Sequence, residues 1–261
     1  MLSRFATFRR HCRESGVINY YYYFHFMKPL GRKSYGSIPH LLGSKLGEGD
    51  HHCHEGQHKI ATEKTRDRHD FIIVQEKYDG SNVAVAKVDS EIIALVRRGY
   101  TAESSPFRQH HIFAQWVKKN EILFQAMIDP GNRLCGEWLL QAHGLKYAIQ
   151  DGLAPFVAFD YFNGDKRLVY SELLEKLNQF DITGPRLICA ANSPLSIDFG
   201  LNVLFNDHDH PIKTIEGLPE GLIYRVERKG KVDFIAKYVR NDFEPGRYLP
   251  EVSGNPEVFN C

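Results

Sequence analysis

The stretch Val74–Val85, "VQEKYDGSNVAV", places Lys77, Asp79, Gly80 and Asn82 between two apolar runs. Asp-Gly is a turn signal between strands, but a turn asks nothing of Lys77 or Asn82 at fixed offsets. Further segments share the same feature: polar or charged residues inside runs that otherwise look buried. They are "CGEWL" (Cys135–Leu139), "FVAFDYF" (Phe156–Phe162), "EGLIYR" (Glu220–Arg225) and "FIAKYVR" (Phe234–Arg240). An unpaired buried charge is expensive, so these side chains require partners or a ligand. Together they supply two lysines, two arginines and five acids. That set suits a site for a polyphosphate and a hard metal ion.

The elements that must position these residues are short. Phe71–Glu76 and Val83–Val88 read as strands, and Asp89-Ser90 turns the chain into a third over Ile92–Arg97. Between Phe107 and Met127 apolar residues fall at helical spacing, with a break expected near Asn120. Arg133–Leu140 and Phe156–Phe162 read as strands, and Asn163-Gly164 as a hairpin turn. Ser171 is placed to cap a helix carrying Leu173, Leu174 and Leu177, with Glu172 near its positive end. Leu222–Glu227, a turn at Lys229-Gly230 and Val232–Val239 form a last hairpin. Strands and helices mix without strict βαβ alternation, which predicts an α+β, mostly antiparallel fold.

In this order the charged segments resemble motifs I, III, IIIa, IV and V of the covalent nucleotidyltransferases: ATP-dependent DNA and RNA ligases and mRNA capping enzymes. "KYDGSN" is similar to the KxDGxN nucleophile motif, "EGLIYR" to motif IV, and "AKYVR" to the second lysine of motif V. A KxxG tetrapeptide alone would be weak, since a surface lysine beside a turn looks the same; the ordered set over residues 36–240 is specific. The details are most similar to the RNA ligase family, in its second phage type and bacterial relatives. The resemblance implies a nucleotidyltransferase (ligase adenylation) domain whose antiparallel sheets and flanking helices enclose an ATP cleft. It implies a lysine that takes AMP from ATP, passes it to a 5′-phosphate RNA end, and lets a 3′-hydroxyl seal the strand.

By that resemblance Lys77 is the nucleophile, Lys237 binds the α-phosphate, and Glu220 binds the divalent metal, Mg²⁺ or Mn²⁺. Glu137 would hold the ribose and Phe159 would stack on adenine, although a core aromatic reads identically. Arg97 would touch the ribose or an acceptor-strand phosphate. Asp79 and Gly80 would shape the loop after the nucleophile, and backbone amides at Glu76–Lys77 would read the adenine edge. Two departures stand out. The first lysine of motif V is replaced by Ile235, so that Lys237 acts alone or is helped by Arg240 or Lys231. Only 21 residues follow Arg240, too few for an OB-fold domain, which points to a helper protein in sealing. A DNA ligase or capping-type enzyme, and a non-catalytic nucleic-acid- or metal-binding module, are the alternatives.

The 261 residues carry a formal net charge of +1, so no whole-chain basic signal marks a passive nucleic-acid binder. Five scattered cysteines, none in CxxC spacing, argue against a disulfide framework and for a reducing cytoplasm. No apolar run approaches the ~20 residues needed to cross a bilayer, so no membrane partner is expected. Residues 1–26 are Arg-rich and then aromatic. They read as translated upstream sequence or a mitochondrial transit peptide, with residues 27–261 as one nucleotidyltransferase domain. "HHCHEGQH" (residues 51–58) reads as a solvated loop, with a cleft-lining loop or a zinc site as alternatives. Asp160 reads equally as structural or functional, Trp116 and Trp138 as core, and His110-His111 as helix surface.

Overall fold

The computed structural model describes residues 28–206 and 209–260. The expectation for residues 1–26 therefore lies outside the described residues.

A short helix, α1 (Glu55–Thr62), precedes a hairpin-rich core of β1 (Asp70–Lys77), β2 (Ser81–Val88) and β3 (Glu91–Val96). Then come α2 (Arg108–Lys119), α3 (Glu121–Met127), β4 (Arg133–Trp138), β5 (Tyr147–Ile149), β6 (Phe156–Asn163) and β7 (Lys166–Arg167). The chain continues through α4 (Tyr170–Gln179), β8 (Leu187–Ala191), α5 (Ile197–Asn206), β9 (Ile212–Thr214), β10 (Gly221–Arg228), β11 (Lys231–Val239) and α6 (Pro250–Ser253). The break expected near Asn120 is real: Asn120 ends α2, starts α3, and donates its side-chain amide to the Trp116 carbonyl at 2.8 Å. A local bond of this kind competes with helix continuation.

Two antiparallel sheets dominate, one of four strands in the order β11-β10-β1-β8 and one of five in the order β3-β2-β4-β6-β7. Each has one face packed under helices. Ile72, Val74, Leu222, Tyr224, Val226 and Ala236 of the first sheet meet Ala61 of α1 and Leu204 of α5. Val83, Val85, Leu134, Trp138, Phe156 and Ala158 of the second meet Phe113, Phe124 and Leu173 of α2, α3 and α4, and Trp116 packs against this cluster. Both tryptophans are thus core. Because side chains alternate across a strand, the opposite faces of the two sheets are left to look at each other across a cleft.

Three sequence readings need correction. Ser171 does not cap α4; Val169 stands at the N-cap with no side-chain bond, and Glu227 Oε1 accepts the Tyr170 N–H at 2.7 Å instead. A carboxylate from another strand does the capping, which local spacing cannot show. The Gly- and His-rich stretch is loop only as far as His54, which N-caps α1 through Nδ1 and forms a capping box with Gln57. His110 is half-buried, 2.6 Å from Ser105 Oγ, and burial pushes its pKa down to about 4.

Candidate active site

Register decides which residues share the cleft face of the four-stranded sheet. Lys77 lies opposite Gly221, Gln75 opposite Ile223, Ile223 opposite Lys237, and Arg225 opposite Ile235. Directly opposed residues point to the same face, and Gln75, Lys77, Ile223, Arg225, Ile235 and Lys237 all line one cavity. Gly221 makes that spacing possible, because a Cβ there would stand 1.9 Å from the Tyr238 carbonyl oxygen. The Gly of the "EGL" motif therefore lets the Lys237 strand come close to the strand after Glu220.

The facing sheet adds Asn82, Glu137, Val157 and Phe159, and Arg97 closes one side. Asn82 and Glu137 are register partners on β2 and β4. Phe159 reaches the cavity through a β-bulge: Cys135 pairs with Asp160 and Gly136 with Ala158, so Phe159 is the extra residue. A bulge re-aims one side chain without moving the sheet. Tyr35 packs against that ring in a T-shaped pair, 5.1 Å between centroids. The cleft holds about 860 Å³ of space, open solvent at its mouth included.

Lys77 Nζ sits 2.6 Å from Glu220 Oε2, with side-chain exposures of 19% and 7%. Burial would push this lysine down, but Glu220, Glu137 and Asp79 outweigh it and raise its pKa, so it is held as an ammonium. The acids answer in kind. Burial pushes Glu137 up to about 7 and Glu220 up to about 8, with Asp79 repelling both. Glu220 and Glu137 are thus buried acids beside Lys77, with Lys237 and Arg97 as the further cations of the cavity. Among the described residues no three His, Cys, Asp or Glu side chains form a metal cluster. Glu220 offers one hard oxygen donor beside Lys77, a kind of ligand that Mg²⁺ takes together with phosphate and water. The zinc alternative for residues 51–58 finds no support among the described residues.

Of the nine residues singled out from sequence, Glu76, Lys77, Arg97, Glu137, Phe159 and Lys237 line the cavity, and Glu220 joins it through Lys77. Asp79 and Gly80 do not line it. Asp79 turns away, its backbone N–H donating to Tyr147 Oη at 2.8 Å and its carboxylate accepting the Gly144 N–H. Gly80 donates to Glu137 Oε1 at 3.1 Å, and a Cβ there would meet the Trp138 carbonyl oxygen at 2.5 Å. Both fix the crossing from β1 to β2 and so aim Lys77 and Glu137. The helpers suggested for Ile235 are elsewhere. Arg240 donates to the carbonyls of Pro219 and Leu218, at 2.7 and 3.0 Å, and Lys231 lies at the far end of the hairpin, opposite Arg228.

The sequence reading gave no site role to Asn82, Arg225 or Asp50, and left Asp160 open between a structural and a functional role. Asn82 lines the cavity with a buried Oδ1 that accepts no hydrogen bond, a group awaiting a donor. Its signal was present, since it belongs to the same motif as Lys77. Arg225 and Asp160, 2.6 Å apart, tie the two sheets together at the cleft wall. Asp50, 3.5 Å from Lys237 Nζ, gave no signal.

The RNA ligase family model matches residues 70–239, well over half of the chain. The chain belongs to the RNA ligase family. Among solved structures, this RNA ligase family member is similar to Naegleria gruberi RNA ligase with PPi, at 16% identity over 83% of this chain and 62% of that one, TM-score 0.49. A mutant of the same ligase with ATP and Mn matches at 17% identity over 67% and 51%, TM-score 0.46. An archaeal ATP-dependent RNA ligase matches at 20% identity over 78% and 48%, TM-score 0.47. The chain thus spans between 48% and 62% of the length of these three structures. No curated protein sequence matches it.

Proposed function

We propose that this chain is the adenylylating unit of an ATP-dependent RNA ligase that joins 5′-phosphate and 3′-hydroxyl RNA ends. The observation that carries the reading is the place of Lys77 Nζ: it ends a strand at a cavity shared with Glu137, Phe159, Arg97 and Lys237, against Glu220. Nitrogen attack on the α-phosphorus of ATP would form a P–N bond and break the bond to pyrophosphate, leaving AMP on Lys77. The AMP then passes to an RNA 5′-phosphate, and attack by the 3′-hydroxyl expels it and closes the strand.

The residues present fit that chemistry. Lys77 must shed a proton that three acids help it keep. A divalent cation on Glu220 would engage that carboxylate and neutralise phosphate charge. Without its nearest counter-ion, and facing Lys237, the Lys77 amine ionises less readily as a base should. Lys237, lowered by burial and by Lys77, remains the cation aimed at the α-phosphate. Asn82 and Glu137 offer hydrogen-bonding groups to a ribose, and Phe159 a flat face to a base. Holding reactants in line and neutralising phosphate charge supplies most of the rate in such transfers.

Incubation with α-labelled ATP or GTP and Mg²⁺ or Mn²⁺ tests the proposal. Label from ATP should appear on the polypeptide and disappear in Lys77→Ala. Label from GTP alone would indicate capping chemistry, and no label from either would indicate a binding module. Nicked and single-stranded RNA and DNA, offered to the labelled protein, would identify the polymer.

A further inference from the structure

The loop before α1 is built onto the strand that carries Lys237. Lys237 N–H donates to the Pro39 carbonyl at 3.0 Å, and Lys237 C=O accepts the Leu41 N–H at 2.8 Å. His40 N–H in turn donates to His51 C=O at 2.8 Å, and Cys53 N–H to His40 C=O at 2.7 Å. The segment from Pro39 to Cys53 therefore doubles back along the edge of β11 and sets Asp50 beside the cleft.

Side chains continue this chain of contacts. The Val239 N–H donates to Ser44 Oγ at 2.9 Å, and Ser44 Oγ lies 2.7 Å from His40 Nδ1. His40 Nε2 is 2.9 Å from Asp50 Oδ2, and Asp50 Oδ1 is 3.5 Å from Lys237 Nζ. A hydroxyl that accepts from Val239 can give its own hydrogen to Nδ1, which turns Nε2 toward the Asp50 carboxylate as a close polar contact whose angle does not make a hydrogen bond. His40 is 1% exposed, so its ring cannot swing away, whereas the Asp50 side chain is 31% exposed at the rim. An acid beside a polyphosphate site repels the ligand unless a cation takes it up. Here the cation is Lys237, the single motif V lysine left by Ile235.

The geometry points to Asp50, braced by His40, as a positioning residue that holds Lys237 in the orientation needed for the α-phosphate. The inference rests on the ligase reading and adds to it. Asp50 itself touches no reacting atom. It replaces by a fixed counter-ion the constraint that a second lysine on β11 would supply. The groups that face Lys237 are Lys77 from β1, Glu220 before β10, and Asp50 and His40 from the loop. Only Asp50 makes a direct ion pair with it among the described residues.

The test is a mutant cycle on self-labelling by ATP. Asp50→Ala and the isosteric Asp50→Asn should each lower the maximal labelling rate by about 10-fold, with the ATP KM changed less than about 3-fold. Asp50→Glu should restore most of the loss. In a Lys237→Ala background, Asp50→Ala should cost less than about 2-fold more, because the group it acts through is gone. A full, independent loss in that background would overturn the assignment, as would wild-type rates in Asp50→Asn, or faster labelling, which would make Asp50 an inhibitory competitor of phosphate. Thermal melting of the same variants separates misaiming from unfolding: a labelling loss that tracks lost folded protein, with no rescue by Glu, overturns it as well. Labelled wild type with unaffected Asp50 variants would sink only this role, whereas unlabelled wild type would sink the ligase reading and this role together.

Discussion

Two charged clusters occupy the same cleft and use the same residue types to opposite ends. At one, Asp160 is 1% exposed and is saturated. It accepts from Arg225 at 2.6 Å, from Tyr35 Oη at 2.6 Å and from Arg167 at 3.0 Å, while Arg225 also donates to Glu227 at 2.7 Å and to the Leu168 carbonyl. At the other, Lys77 pairs with Glu220 at 2.6 Å, while the buried Asn82 Oδ1 beside it in the cavity accepts no hydrogen bond. The first cluster is densely paired and bridges β6 to β10, so it is a staple between sheets. The second keeps a buried acceptor, Asn82 Oδ1, without a hydrogen bond. Completeness of pairing, rather than charge or burial, separates a structural cluster from a reactive one.

That contrast can be broken by mutation. Lys77→Ala should remove all covalent label, the largest effect, while its melting temperature stays near wild type. Glu220→Ala and Lys237→Ala should each slow labelling by about 100-fold or more, the range for loss of one charge-stabilising group, measured as initial rates at saturating ATP. Asp160→Ala should do the reverse. Removing the Asp160 carboxylate from the 3%-exposed Arg225 guanidinium should cost about 3 kcal/mol of folding stability by urea unfolding, with labelling per folded molecule changed far less. Equal stability losses at Asp160 and Glu220 would erase the distinction.

The smallest effect is one of pH. Glu137 and Glu220 ionise near 7 and 8 in the folded chain, both pushed up by burial from an ordinary value of 4.5. Below that ordinary value both folded and unfolded chains hold the proton and nothing is lost. As pH rises the unfolded chain ionises first, so folding stability is lost progressively until the folded groups ionise too. Wild-type melting temperature should therefore fall between pH 5 and pH 8, and Glu137→Gln should fall less over the same window. A parallel decline in both would contradict the assignment.

Much of the fold was legible because strands here carry local signals. Lys229-Gly230 turns the last hairpin with positive φ at both residues, as two-residue hairpins require. The Phe107–Met127 periodicity and its break at Asn120 are likewise local. Capping of α4 by Glu227 was not, since its partner is 57 residues away in sequence. The site divides along the same line. Lys77, Asn82, Glu137 and Glu220 stand in short motifs that name themselves. Asp79 looked like one of them, yet the fold turns it to Gly144 and Tyr147, because the crossing from β1 to β2 needs an acceptor there more than the cavity does.

The sequence by itself determined which charged groups interrupt the apolar strands and the strands that bear them, because alternation and turn chemistry act over a few residues. The tertiary structure decided which of those groups share a face, which charges cancel, and that Asp50 meets Lys237 across 187 residues of chain. Pairing of charges depends on register, on a bulge at Phe159 and on close approach at Gly221, all of which are set between strands.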